Sequence, residues 1–350
     1  MTLWRANATR SPASADAVAP ASARELLAKL PRRLMPPAAP TTLPTDRAVG
    51  RGALLYHIND LGNVNSATGG LPRLPIYLVT ASGEQFSVGL VTMGEFSRAL
   101  SADGRWLAQR RDGQWWIRDL TGTTERAVPP GYEVRQWSSD GRALLLGQTT
   151  GASEAFTTFT LPTGELRPLT LPAMPARQML AFLDGRELAT AEFDLGPNLQ
   201  PRRQVTIAIQ DIDGRNARSV SIPTTHQVAT GDIRNGLVPL VRGGGDPATA
   251  WALVAPQEEV PTSQPAGAPA QPSMTLVGVD LRSGKPAGRI DLVTPQGSEG
   301  EEFIGLAGTE VLLQRWTAGT AELVAADPAT GQRRVLTSLP DHTRVILPGD

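Results

Sequence analysis

The stretch LSADGRWLAQRRDGQWWIRDLTG, from Leu100 to Gly122, decides the fold. A short apolar segment ends at Asp103-Gly104, an alternating strand follows, and a second strand runs from Trp115 to Leu120 before Thr121-Gly122. Glycine adopts positive φ without a Cβ clash and Asp hydrogen-bonds the backbone of a turn, so both dipeptides indicate hairpin turns. The stretch therefore predicts a small antiparallel meander.

The second of these turns recurs along the whole chain. Its six copies are Ser82-Gly83, Thr121-Gly122, Thr163-Gly164, Asp213-Gly214, Ser283-Gly284 and Thr330-Gly331. Their glycines are 39, 42, 50, 70 and 47 residues apart. A four-stranded propeller blade takes about 40 to 50 residues. Six copies therefore predict six units of one architecture.

The spacing of 70 residues has a separate cause. Residues 256–273, PQEEVPTSQPAGAPAQPS, contain five prolines and no aromatic residue. Such a segment neither pairs into a sheet nor buries a core. We expect a flexible surface loop ahead of a strand from Thr275 to Asp280; a proline-rich ligand for a partner is the alternative.

Composition narrows the class of protein. The 350 residues include 35 glycines and 30 prolines, which favours many short strands, and the scarcity of lysine (only Lys29 and Lys285) is typical of a GC-rich bacterial genome. The 33 basic and 34 acidic residues nearly cancel, so we expect no nucleic-acid partner. Without cysteine, disulfides, thiolate catalysis and thiolate-ligated metals are excluded.

The sequence shows no targeting or membrane segment. No run approaches the roughly 20 apolar residues of a membrane span, and the first 30 residues lack the apolar region of a signal peptide. We expect a soluble chain and a monomer, with the compartment left open. An extracytoplasmic location, tethered through a segment upstream of Met1, is the alternative.

Residues 1–46 are rich in Ala, Pro, Ser, Thr and Arg without strand periodicity, which indicates a linker or poorly ordered arm. One short helix is predicted in it. Ser22 and Glu25 form a capping box, Leu26–Leu30 carries an apolar stripe, and Pro31 ends the run. We expect this helix to pack on the domain of residues 47–350; a partner-binding helix is the alternative.

The units resemble the repeats of TolB-type six-bladed β-propellers, which are WD-repeat-like. Those repeats carry an aromatic residue, Ser-Pro-Asp-Gly and Arg or Lys ahead of an apolar strand; here the pattern is Trp137–Arg142 and Leu100–Arg105, with Ser or Ala in place of Pro. Gly243–Asp246 and Gly308-Thr309 replace Asp-Gly in the last two units. The resemblance implies an all-β, six-bladed β-propeller with four-stranded antiparallel blades.

The first unit lacks an innermost strand. Gly52–Tyr56 aligns with the strand that follows Asp-Gly in the other units, whereas His342–Leu347 forms a strand without a partner in its own unit. We predict that this C-terminal strand completes blade one, which closes the ring and removes its open edges.

Arginines near the starts of the innermost strands form one candidate site. Arg98 and Arg135 both precede their Asp-Gly aspartate by five residues, and Arg177 lies near the start of the next unit. Strand starts surround the mouth of a propeller channel, so these guanidinium groups are candidates for binding an anionic ligand or an acidic peptide terminus. Ordinary surface charge is the alternative.

Two adjacent tryptophans form a second candidate. Strand alternation points Trp115 and Trp116 to opposite faces of their sheet. We expect one to pack between blades and the other to be less buried, where it is a candidate anchor for a partner.

Other motifs favour structural roles. The histidines His57, His226 and His342 have no metal-ligand spacing, and we expect surface or hairpin positions for them. In the segment that begins at Asp211, Asn216 stands where a calcium loop needs glycine at its sixth position, and the glutamate needed at the twelfth is absent, so Asp211–Asn216 predicts a β-turn. Gly243–Gly245 predicts a tight hairpin, with an anion nest as the alternative. We predict no catalytic residue, metal or cofactor.

The absence of a catalytic motif favours a non-catalytic binding or scaffold module, and no G-x-S-x-G nucleophile elbow is present. The resemblance implies a protein partner docked on one face. The alternative is a lyase or glycosidase whose acidic and basic residues, drawn from different blades, converge at the channel mouth.

Overall fold

The computed structural model describes residues 23–58, 73–92, 99–150, 153–161, 163–169, 177–183, 185–192, 204–223, 240–241, 249–254, 275–293, 299–317 and 319–349. The elements in these ranges are α1 (Ala23–Leu27), β1 (Gly52–Ile58), β2 (Arg73–Thr80), β3 (Gln85–Thr92), β4 (Trp106–Arg111), β5 (Gln114–Asp119), β6 (Glu125–Ala127), β7 (Glu133–Trp137), β8 (Ala143–Thr150), β9 (Ser153–Thr160), β10 (Glu165–Pro168), β11 (Arg177–Leu183), β12 (Glu187–Glu192), β13 (Gln204–Asp211), β14 (Arg218–Pro223), β15 (Leu240–Val241), β16 (Thr249–Val254), β17 (Thr275–Asp280), β18 (Pro286–Asp291), β19 (Gly300–Ala307), β20 (Glu310–Thr317), β21 (Thr320–Ala326), β22 (Arg333–Leu339) and β23 (Thr343–Ile346).

These strands form six antiparallel sheets, which are the blades of a six-bladed β-propeller. From the inner to the outer strand, blade 1 is β23-β1-β2-β3, blade 2 is β4-β5-β6, blade 3 is β7-β8-β9-β10, blade 4 is β11-β12-β13-β14, blade 5 is β15-β16-β17-β18 and blade 6 is β19-β20-β21-β22. Blade 2 has three strands, and an isolated bridge from Leu100 to Leu107 stands in its innermost position. The predicted fold is confirmed.

The six recurrent glycines all lie between the last two strands of their blades. In the first-to-second turns, Ser101 donates a hydrogen bond through Oγ to Asp103 Oδ1 (2.8 Å), and the same Oγ accepts one from the N–H of Trp106 (2.8 Å). Ser138, Asp140 and Ala143 repeat these bonds in blade 3 at 2.6 and 2.8 Å. In blades 2 and 3, the Ser-x-Asp-Gly motif therefore satisfies the backbone at the point where the second strand begins.

Strand β23 closes the ring, as the sequence predicts. It pairs antiparallel with β1 from Leu55↔Ile346 to Ile58↔Thr343. Val345 and Leu347 are buried in the cluster shared with blade 6, and Ile346 is buried in the cluster shared with blade 2. The C-terminal strand thus packs against both neighbours of blade 1, which are blade 6 and blade 2.

The apolar core lies between neighbouring blades. One described cluster joins blades 2 and 3 around Trp106, Trp115 and Trp137, and another joins blades 5 and 6 around Trp251. Among the ranges described, no helix is long and apolar enough to cross a membrane.

The described part of the N-terminal arm packs on the ring. The expected helix is α1, with Leu26 and Leu27 buried against blades 6 and 1, while Ser22 of its capping box lies outside the described residues. Further along, Leu34 and Leu43 are buried in clusters that include blade residues.

Candidate functional site

The innermost strands all begin on one face of the ring, which we call the mouth face. Glu133 begins β7, Arg177 begins β11, Gly300 begins β19 and Thr343 begins β23. Because these strands are closest to the axis, their first residues surround the mouth of the central channel. Residues from four different blades therefore lie on the mouth face.

The three arginines predicted from the sequence differ in how much of each the structure describes. Arg135 lies in β7 on the mouth face and is half-buried. Arg177 occupies the first position of β11, but its side chain is outside the described part of the structure, and so is the whole of Arg98. The grouping of all three guanidinium groups stays a prediction.

Trp115 and Trp116 point to opposite faces of β5, as expected. Trp115 is 6% exposed and its indole N–H donates to Glu133 Oε2 at 2.9 Å, which ties blade 2 to blade 3. The other oxygen of Glu133 pairs with Arg110 at 3.3 Å. Trp116 is half-buried, and its role as an anchor for a partner stays a prediction.

A cleft of about 430 Å³ opens on the mouth face across the joint between blades 6 and 1. Inner strand β19 contributes Glu302, β20 contributes Gln314 and Trp316, and β23 contributes Thr343 and Arg344. The remaining lining residues are Gly319, Thr320, Ala321, Asp341 and His342. We call this site the mouth cleft.

The floor of the mouth cleft is held by polar contacts. Gln314 donates through Nε2 to the carbonyl oxygen of Thr343 at 2.6 Å, across the joint between the two blades. Thr343 in turn donates through Oγ1 to the carbonyl of Pro340 at 2.7 Å. His342 adopts a φ of 58°, a left-handed conformation that turns the chain into β23.

Glu302 and Arg344 are the charged residues that β19 and β23 contribute to the mouth cleft. Several other carboxylates are paired with guanidinium groups, as in Arg218–Glu187 at 2.5 Å and Arg315–Glu322 at 2.5 Å. Glu302 and Arg344 are exposed, and neither has an ion-pair partner within the described residues. Their charges therefore face the cleft and are available to a ligand.

His57 lies one strand behind Arg344. The two residues are cross-strand partners in the β1–β23 pair, and His57 is fully buried. Burial, and then the charge of Arg344, lowers the pKa of His57 from 6.5 to about 4. The expectation of a surface or hairpin position is wrong for His57, because closure by β23 covers a strand that would otherwise be exposed.

The other two histidines have separate outcomes. His342 is exposed in the turn before β23, where its Nε2 lies 3.6 Å from Asp341 Oδ2. His226 lies outside the described residues.

A second cleft, of about 570 Å³, lies on the opposite face between blades 5 and 6. Trp251, Lys285, Asp280 and Asp327 line it. Backbone hydrogen bonds from the Ser283-Gly284 turn lower the pKa of Asp280, and Asp327 accepts the N–H of Ala329 at 2.8 Å. Both carboxylates are therefore occupied by their own turns.

Of the other sequence motifs, one lies within the described residues and two lie outside them. Asp211–Asn216 forms the predicted β-turn, in which Asn216 donates to Asp211 at 2.6 Å. Gly243–Gly245 and the loop of residues 256–273 lie outside the described residues. Within the described ranges, no group of three His, Asp or Glu side chains is arranged to hold a metal ion.

Sequence reasoning missed Glu302, Trp316 and Arg344. Arg344 follows the rule used for the other arginines, since it lies near the start of an innermost strand. It was missed because β23 has no following Asp-Gly turn from which to count. Glu302 and Trp316 carry no comparable signal, since they meet Arg344 only when the ring closes.

Of the comparisons with known proteins, the comparison of structures is the one that finds matches. No protein-family model and no curated protein matches the sequence. Similar solved structures include TolB from Acinetobacter baumannii, at 14% identity and TM-score 0.44, over 85% of this chain and 67% of that chain. A putative TolB from Agrobacterium tumefaciens is similar at 12% identity and TM-score 0.42, over 86% of this chain and 98% of that chain.

An oligogalacturonate lyase from Vibrio parahaemolyticus is also similar, at 14% identity and TM-score 0.40, over 70% of this chain and 65% of that chain. TolB proteins, which the repeat resembles, are thus among the solved structures similar to this chain. None of these similarities assigns an activity or a partner to it.

Proposed function

We propose that this propeller is a non-catalytic binding module that holds a segment of a partner protein in the mouth cleft. The observation that carries the proposal is the pair of exposed charges, Glu302 and Arg344, beside the half-buried indole of Trp316. Two exposed charges that line one cleft, with no ion-pair partner among the described residues, favour an external ligand.

The side chains that line the cleft indicate which chemical groups the bound partner segment carries. Arg344 suits a carboxylate, because a guanidinium group donates two parallel hydrogen bonds to one. Trp316 offers a flat apolar surface, which suits an aliphatic or aromatic side chain. Glu302 suits a basic group of the same segment. A polypeptide supplies all three, whereas a simple anion uses Arg344 alone.

The rigid frame supports this role. The cleft is built on β19, β20 and β23, which are held by sheet hydrogen bonds and by the Gln314–Thr343 contact. A site on strands loses little conformational freedom when a ligand binds. Arg135 and Trp116, near the same face, extend the surface available to a partner.

The test is affinity capture from the native host with matched baits. The wild-type protein, Arg344→Glu and Glu302→Arg are compared with Arg289→Glu, which changes an exposed arginine on the outer strand of blade 5. We expect a partner retained by wild type and by Arg289→Glu, with at least tenfold weaker affinity for both cleft variants by calorimetry. Equal affinity for all baits would overturn the proposal, and turnover of an oligosaccharide panel by wild type would favour the enzyme instead.

A further inference from the structure

The N-terminal arm crosses three blades before the first strand begins. Helix α1 packs against β1 and β19, and the side chain of Leu26 reaches the Gly104 turn of blade 2. Arg33 then forms a parallel bridge with Ser338 on the outer strand of blade 6, and Thr42 forms one with Ser87 on the outer strand of blade 1. Residues 23–50 are therefore attached to both sides of the joint that β23 closes.

Backbone hydrogen bonds fix each attachment. At blade 6, the N–H of Leu34 donates to Ser338 O at 2.9 Å, and the N–H of Ser338 donates to Arg32 O at 3.0 Å. At blade 1, the N–H of Leu43 donates to Ser87 O at 2.9 Å, and the N–H of Ser87 donates to Thr41 O at 2.8 Å. Both outer edges are thus paired by one continuous segment.

A buried cation holds the end of the arm. Arg118 of blade 2 is 3% exposed, and its guanidinium group donates to the carbonyl oxygens of Pro44 and Arg47. The N–H of Val49 also donates to Leu120 O at 2.9 Å. A buried guanidinium group whose hydrogen bonds go to backbone carbonyls is costly to expose without them, so the arm is tied to blade 2.

The attachment at blade 6 lies just ahead of the mouth cleft in the chain. Ser338 is clamped by the arm on both its N–H and its carbonyl, and β22 ends one residue later. The segment Asp341–Arg344, which lines the cleft, follows directly. The position of this segment therefore depends on how firmly the end of β22 is held.

We infer that the arm of residues 23–50 is a strap that holds the joint between blades 6 and 1 closed at its outer edge and sets the position of the cleft-lining segment Asp341–Arg344. Strand β23 closes the same joint at its inner edge. Release of the strap frees the end of β22, so the cleft changes shape while the other blades stay folded. This inference concerns the arm and its joint, and it holds whether or not the cleft binds a protein.

A disulfide provides the first test, because the chain contains no cysteine. Arg33→Cys combined with Ser338→Cys places two thiols on bridged residues of adjacent strands, where the Cα separation suits a disulfide. Amide hydrogen exchange of residues 340–347 is measured by mass spectrometry in the oxidised and reduced forms of this one protein. We expect exchange at least tenfold slower in the oxidised form, with β12 of blade 4 unchanged.

A matched pair of substitutions provides the second test. Leu34→Ser changes a fully buried arm residue, and Met35→Ser changes its neighbour, which is 44% exposed. We expect Leu34→Ser to accelerate exchange of residues 340–347 at least tenfold, with no change in Met35→Ser. Should Leu34→Ser fail to fold, the disulfide comparison still decides. Equal exchange in the oxidised and reduced forms, or an equal change in β12, would overturn the inference.

Discussion

The guanidinium group of Arg51 donates two hydrogen bonds to Asp103, one to Oδ2 at 2.9 Å and one to the carbonyl oxygen at 2.8 Å. Arg51 directly precedes β1 of blade 1, whereas Asp103 belongs to the turn of blade 2. Asp103 also lies against blade 3, since a Cβ at Gly141 would be 2.6 Å from its Oδ1. One turn residue therefore joins three blades, which the repeat pattern alone does not reveal.

Asp103 is expected to matter more for stability than the matching aspartate of blade 3. Asp103→Ala should lower the free energy of unfolding by about 3 kcal/mol, because it removes the carboxylate that pairs with the half-buried Arg51 and leaves only the backbone carbonyl. Asp140→Ala removes the same turn hydrogen bonds without a charged partner and should cost about 1 kcal/mol. Urea unfolding of both variants measures the difference, and equal costs would show that the Arg51 contact contributes nothing.

The closing strand is expected to carry much of the stability of the ring. Ile346→Ala removes a buried side chain from the cluster of blades 1 and 2 and should cost about 2 to 4 kcal/mol. Arg344→Ala, an exposed change on the same strand, should alter stability by less than about 0.5 kcal/mol. Thermal and urea unfolding measure both. Deletion of residues 341–350 should unfold the whole domain, and a truncated protein that melts cooperatively at the original temperature would refute closure.

The two neighbouring tryptophans are expected to respond differently. Trp115→Phe loses the hydrogen bond to Glu133 and leaves a cavity between blades 2 and 3, which should cost about 1 to 3 kcal/mol. Trp116→Phe, at a half-buried position, should cost less than about 0.5 kcal/mol. Urea unfolding followed by circular dichroism tests this. A larger cost at Trp116 would contradict the assigned orientation of β5.

The free energy of unfolding is expected to fall as the pH is lowered, because His57 is buried in its neutral form. Its pKa is about 4 in the folded protein and 6.5 as its ordinary value, so the unfolded chain binds the proton first as the pH falls. The stabilising contribution is complete above pH 6.5 and is lost between pH 6.5 and 4. A shift of this size corresponds to roughly 3 kcal/mol. Unfolding free energies of wild type and His57→Gln across this range measure it, and parallel pH profiles would contradict the assignment.

Much of the fold follows from the chemistry of turns, which can be identified from residues that are neighbours in the sequence. The Asp-Gly and Xaa-Gly turns need positive φ and a side chain that satisfies the turn backbone, so their period predicts six blades and the order of their strands. The missing innermost strand of the first unit and the unpartnered strand at the C-terminus predict the closure. Each of these conclusions depends on residues that are neighbours in the chain.

The site predicted from the sequence, a group of arginines at the channel mouth, stays a prediction. Arg135 and Arg177 lie on that face, but the mouth cleft is formed by Glu302, Trp316 and Arg344. These residues come from opposite sides of the closed joint, so they become neighbours only through long-range pairing. The spacing of residues along the sequence does not indicate such a long-range contact.

The sequence by itself determined the repeating turns, the number of blades and the closing strand, because hairpin chemistry acts over a few residues. Only the tertiary structure decided that the arm contacts blades 6, 1 and 2, that His57 is buried, and that Glu302 and Arg344, which have no ion-pair partner among the described residues, share one cleft. Those features arise where the two ends of a ring meet, and their partners are distant in the chain. Their energies depend on burial and on cross-blade contacts, which exist only once the ring has closed.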